Sequence, residues 1–99
     1  MKLIFSEQAV GDLVRLRAHI AEQNPTAAAR IATDLRRRIA RLRRFPEMGR
    51  EVHGVPPVPG VRDLVAASYV IRYLVRPDIL IILRIWHVFE DRPDAASGA

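Results

Sequence analysis

Apolar positions along this chain keep a helical rhythm in the first half and a strand rhythm in the second. Lys2 to Phe5 is a short apolar strand. Ser6 then offers a helix N-cap, with Glu7 in the first turn where a carboxylate suits the dipole. Val10, Leu13, Leu16 or Arg17, and Ile20 recur at three- and four-residue steps and predict an amphipathic helix to about Gln23. Asn24 and Pro25 repeat the start signal, cap followed by proline at the first helical position. The stripe Ala28, Ile31, Leu35, Ile39 and Leu42 predicts a second helix to about Arg44, stopped by Phe45-Pro46. So short a break makes the two helices an antiparallel hairpin.

Residues 48–60, rich in glycine and proline, read as a long loop. Three runs then follow at 61–65, 69–75 and 79–88, with links short enough for a hairpin meander. The predicted order is β-α-α-β-β-β, an α+β fold. Its helical hairpin packs on one face of an antiparallel-rich four-stranded sheet. Residues 1–92 form the domain, and 93–99 (PDAASGA) a polar tail expected to fray.

Strand alternation raises a difficulty. In the third strand Val70, Arg72 and Leu74 oppose Tyr69, Ile71, Tyr73 and Val75. In the fourth, Leu80, Ile82, Arg84, Trp86 and Val88 oppose Ile79, Ile81, Leu83, Ile85 and His87. Both faces of both strands are apolar, yet two helices cover only one face. The other face would leave Leu74, Ile82, Trp86 and Val88 bare around two arginines, which implies that something else covers them.

Composition narrows the function classes. The chain has 99 residues, 49% of them hydrophobic and 27% charged, which fits one globular domain rather than a disordered segment. It has no cysteine, which removes disulfides, thiolate catalysis and zinc–thiolate sites and fits a cytoplasmic setting. The longest apolar run, 79–83, stops at Arg84, far short of a membrane span, and the first residues do not read as a secretory signal. Net charge is +5, and Lys2 is the only lysine among 16 basic residues. An arginine surplus suits phosphate or carboxylate recognition and favours an acidic partner such as nucleic acid or an acidic polypeptide. The simplest reading of Arg36, Arg37, Arg38, Arg41, Arg43 and Arg44 on helix two is nevertheless a solvated face that offsets the helix dipole. His19, His53 and His87 are scattered and make no recognisable metal set, so no metal or cofactor is expected.

One set of motifs resembles the RelE/ParE superfamily of bacterial toxins from type II toxin–antitoxin operons, over nearly the whole chain. It comprises S-x-x-A-x-x-D-L (Ser6, Ala9, Asp12, Leu13), Pro25 with the alanines after it, and F-P-x-x-G-R (Phe45, Pro46, Gly49, Arg50). V-R-x-L (Val61, Arg62, Leu64), Y-V-I-x-Y (Tyr69 to Tyr73) and R-I-W-H-x-x-x-D-R (Arg84 to Arg92) complete it. The resemblance implies a helical hairpin on an antiparallel sheet, and a cognate antitoxin whose C-terminal segment wraps the toxin.

Two branches of that superfamily differ in activity. RelE-like members cut mRNA on the ribosome as metal-free ribonucleases, with basic and hydroxyl side chains handling phosphate charge and protons. ParE-like members inhibit DNA gyrase without a nuclease site. Loop 51–60 here lacks the lysines of the RelE-like pattern, and Val70 rather than arginine follows Tyr69. The ending Trp86, His87, Asp91 looks more like the ParE-like branch. The resemblance therefore implies a non-enzymatic gyrase inhibitor of the plasmid-stabilisation type, held in a hetero-oligomer by its antitoxin. Operator DNA would be reached only through the antitoxin, and no membrane is involved. Arg62, Arg72, Leu74, Ile82, Arg84, Trp86 and Val88 are the candidate contacts with target or antitoxin. The alternative is a ribosome-dependent endoribonuclease with His87 as general acid or base and Arg62, Arg72 and Arg84 as phosphate clamps. A third reading is a homologue that has lost activity and only binds antitoxin. On the structural side, Asp63 or Glu90 offers Arg72 and Arg84 an ion pair across the sheet, Arg50 reads as a loop anchor, and His87 lies near Asp91.

Overall fold

A computed structural model describes residues 1–53 and 58–89. Its elements are β1 (Lys2–Phe5), α1 (Glu7–Gln23), α2 (Pro25–Arg41), β2 (Arg50–Glu51), β3 (Val61–Ala66), β4 (Tyr69–Val75) and β5 (Ile79–His87). Both helix starts form as their sequences dictate. The Ser6 hydroxyl accepts from Ala9 N at 3.0 Å, and the Asn24 side chain accepts from Ala27 N at 3.1 Å. Asn24 alone separates the helices. α2 ends at Arg41, three residues before the expected stop, and its chain continues as a tight turn through Arg44.

Among the described residues the sheet has five strands, not four, in the order β1-β5-β4-β3-β2. β1 runs parallel to β5, and the other pairings are antiparallel. The additional strand is two residues of the expected loop, Arg50 and Glu51, paired with Asp63 and Arg62. Polar and so short, it carries no alternation signal. Gly54, Pro56 and Pro57 of that loop lie outside the described residues, as do Glu90, Asp91, Arg92 and the tail 93–99.

The core lies between the helical hairpin and one face of the sheet. Leu16, Leu35, Ile39 and Leu42 pack there with Ile71, Tyr73, Leu80, Ile82 and Ile85. The stripe expected on α2 is the buried one, with Ile31 half-buried. On α1 the buried positions are Ala9, Asp12 and Leu16, while Val10 is half exposed at 50%. Hydropathy cannot foresee that an aspartate belongs to the inner face.

A β-bulge alters the expected faces of β5. Arg72 pairs with Arg84, but the next residue of β4, Tyr73, pairs with Ile82, so Leu83 has no opposite residue. Strict alternation therefore fails across Leu83. Leu80 and Ile82 share the core with Ile85, on the other side of the bulge, and all three are fully buried. α1 serves the backbone around this irregularity. The Ser6 hydroxyl donates to Leu83 O at 2.8 Å, and Asp12 accepts from Ile85 N at 2.8 Å. Two residues of the S-x-x-A-x-x-D-L motif thus supply polar partners to a stretch where a regular ladder is interrupted.

Candidate functional site

Strand register collects four charged residues of the sheet into one row. Arg50 pairs with Asp63, Asp63 with Arg72, and Arg72 with Arg84, across β2, β3, β4 and β5. Arg72 grips Asp63 through two hydrogen bonds of 2.9 and 3.1 Å, and its guanidinium lies over the Trp86 ring at 5.1 Å. Arg84 grips Asp12 in the same two-pronged way, at 2.9 and 3.0 Å. Asp63 is one of the two acids that the sequence offered to these arginines, and Arg72 takes it. The partner of Arg84 is Asp12 on α1; Glu90, the other acid offered, lies outside the described residues.

Asp12 is the buried charge of this site, 3% exposed. Burial alone would raise its pKa. Hydrogen bonds from Arg84 and from Ile85 N, with the charges of Arg84 and Arg15, outweigh burial and hold it below the ordinary value of 3.8. The carboxylate is therefore ionised at neutral pH and fixes the Arg84 guanidinium against α1.

Arg62 does something different. Its guanidinium donates to Gly49 O at 2.6 Å and Glu47 O at 3.4 Å, and approaches Glu51 at 3.7 Å. Tyr73 meets the same turn from the core: its hydroxyl donates to Pro46 O at 2.7 Å and accepts from Gly49 N at 2.8 Å. Burial raises the Tyr73 pKa, so the hydroxyl stays protonated and able to donate. Gly49 is required by space, since a Cβ there would stand 2.7 Å from the Tyr73 hydroxyl and 2.8 Å from Asp63 O. The loop anchor is thus Arg62 with Tyr73, and Arg50 is an exposed member of the short strand β2.

The remaining candidates separate. His87 packs edge-on against Tyr69 with centroids 5.2 Å apart, and its Nδ1 accepts from Phe89 N at 3.1 Å. Its expected neighbour Asp91 lies outside the described residues. Leu74 is half-buried and Val88 exposed. Ile82 is not a surface residue, because the bulge leaves it in the core. Trp86 is likewise closed within the chain, 3% exposed, with Arg72 over its ring. What the open face does carry is a cross-strand apolar row, Ile4, Ile81, Leu74 and Val61, each half-buried. Among the described residues no group of three His, Cys, Asp or Glu is placed to hold a metal ion, and no helix is long and apolar enough to cross a membrane.

The sequence profile of the ParE toxin of the type II toxin–antitoxin system parDE matches residues 3–92. The chain belongs to the ParE toxin family. It is a toxin of the wider ParE/RelE type. Toxin RelE2 of Caulobacter vibrioides is 33% identical over 87 residues, covering 87% of this chain and 93% of that protein. Toxin RelE1 of the same organism is 32% identical over 94 residues, covering 91% and 96%. Among solved structures, one from the chromosomal ParDE toxin–antitoxin system of P. aeruginosa superposes with a TM-score of 0.75 at 25% identity. It covers 88% of this chain and 95% of that one. The toxin–antitoxin complex RelBE2 of Mycobacterium tuberculosis superposes at 0.58 and 20% identity, over 87% and 88%, a likeness of fold alone.

In this ParE-family chain the expected arginines do not share one task. Arg72 and Arg84 sit side by side in the sheet, each on its own carboxylate, while Arg62 is drawn to the turn after α2. Tyr73, fully buried in the core, is also the clamp of that turn. The signal available for it was the pairing of a buried tyrosine with the F-P-x-x-G-R turn. Asp12 was visible as a motif letter, but only the fold gives it a partner.

Proposed function

We propose that this toxin acts by inhibiting DNA gyrase and is kept silent by a cognate antitoxin that covers the open face of its sheet. The observation that carries the gyrase reading is the commitment of the three sheet arginines that a nuclease site would use, Arg62, Arg72 and Arg84. A metal-free ribonuclease needs guanidinium donors directed at the phosphate it cleaves. Here Arg72 is held by Asp63, Arg84 by Asp12, and Arg62 by the carbonyls of Gly49 and Glu47. Turning any of them to a substrate means breaking charge-assisted bonds, at about 1.5–3 kcal/mol each. The match to the ParE profile over 3–92 supports the same side. The antitoxin is supported by the family itself and by the half-buried apolar row Ile4, Ile81, Leu74 and Val61, a strip that a partner segment would shield.

The ribonuclease reading retains one specific support: the two relatives at 33% and 32% identity both carry the RelE name. A single pair of assays separates the two. Purified toxin in excess should block gyrase supercoiling, or trap cleaved DNA, and leave ribosome-bound mRNA intact. Unimpaired supercoiling together with cut mRNA would overturn the gyrase reading.

A further inference from the structure

Helix α2 carries a line of arginines that the paired arginines of the sheet do not explain. Arg30, Arg37 and Arg41 stand at i, i+7 and i+11, which at about 100° per residue places them within roughly 40° of one another on the helix surface. The first and last are separated by about 16 Å along the axis. Arg44, in the turn that follows, extends the line and joins Arg41 beside a surface cleft of about 570 Å³. Arg30 and Arg37 border a second cleft, of about 760 Å³, closed on its far side by Ser68 and His87. The four side chains are exposed, and among the described residues none of them has an ion-pair partner. Asp34 is taken by Arg38 at 3.0 Å, and Glu47 shares the cleft of Arg41 and Arg44 without pairing with either.

We infer that this line is a phosphate-binding rail for the backbone of double-stranded DNA, read without regard to base sequence. Its charge is complementary to a duplex, and its guanidinium groups can each take a phosphate in a two-pronged grip. A rigid helix keeps them in line, as a stiff duplex requires. Base or ribose recognition is poorly served here. The Thr33 hydroxyl donates to Ala29 O at 3.0 Å, Asp34 is committed to Arg38, and the Phe45 ring has the Arg44 guanidinium over it at 5.9 Å rather than a bare stacking face. On the described part of α2 and its turn these hydroxyl, carboxylate and aromatic groups are thus engaged, whereas reading a 2′-hydroxyl or a splayed base uses free ones. A solvated basic face, the simplest reading of the helix alone, makes no demand on where along the surface the charges fall.

The test needs neither gyrase nor ribosome, so it stands or falls apart from the proposed target. Binding of the purified full chain to a short DNA duplex of arbitrary sequence is followed by fluorescence anisotropy between about 50 and 200 mM salt. Four phosphate contacts predict a slope of log K against log salt of about −3.6, which is about a 150-fold loss of affinity over that range. The double variant Arg37→Gln/Arg41→Gln should halve the slope while its melting temperature stays unchanged, since both side chains are exposed. Arg36→Gln removes the same charge about 100° round the helix from Arg37 and should leave the slope as it was. Three results overturn the inference: no binding at the lowest salt, an equal effect from Arg36→Gln, or tighter binding of an RNA duplex of the same length.

Discussion

Asp12 gathers three hydrogen bonds, two from Arg84 and one from Ile85 N, with Arg15 at 3.5 Å. Its side chain is almost wholly buried whereas that of Arg84 is 36% exposed, so the pair binds α1 to β5 at the boundary of the core. Asp12→Asn keeps the shape but removes the charge that orients the guanidinium, and about 2–3 kcal/mol of stability should go with it in denaturant unfolding. An unchanged midpoint would mean that water serves Arg84 equally well. The pH dependence follows from the depressed pKa: Asp12 stabilises the fold above its unfolded value of 3.8, and that contribution is lost as pH falls through the lower folded value. Acid melts of the two proteins should therefore differ near neutrality and converge only as pH falls below 3.8 and through the lower folded value. Neither role was legible in the sequence. Asp12 looked like a polar letter beside the apolar stripe, because hydropathy records what a side chain avoids and not which distant donor it meets.

The elements themselves were legible wherever local chemistry decides them. Ser6 and Asn24 cap their helices, Pro25 opens α2, and Tyr69–Val75 forms the strand that alternation predicts. Beyond the early end of α2, two misses fall where one element is shaped by another. Leu83 is left without an opposite residue while α1 satisfies its carbonyl and the Ile85 amide, so no count along β5 could locate the bulge. Ile82 was assigned to the wrong side for that reason. β2 exists because the turn before it is held from both sides, by Tyr73 and by Arg62. Tyr73→Phe deletes a donor and an acceptor at once and leaves the buried Gly49 amide unpaired, at about 1–3 kcal/mol. Its distinctive readout is local: faster amide exchange at Gly49 and in β2, more than elsewhere in the sheet. Uniform destabilisation without that local change would show the hydroxyl to be incidental to the turn.

At the scale of the whole molecule, the charged row and the apolar row give the sheet's open face two unlike strips. Leu74 lies between its register partners Val61 and Ile81, and Ile81 lies beside Ile4, so the apolar strip crosses four strands. The expectation of a bare patch around Ile82 and Trp86 fails, since both are buried by the chain itself. The half-buried strip beside them is what an antitoxin segment would complete. Leu74 is the residue on which to test this, because it stands at the centre of the strip and outside the core cluster. Leu74→Asp places a charge where a partner would have to desolvate it. Affinity for the cognate antitoxin should fall at least about 30-fold, equivalent to about 2 kcal/mol, the scale of a central interface residue. The isolated variant should keep its fold by circular dichroism, since no core packing is removed. Equal affinity of the variant and the parent chain would place the antitoxin elsewhere, and the apolar strip would then need no cover.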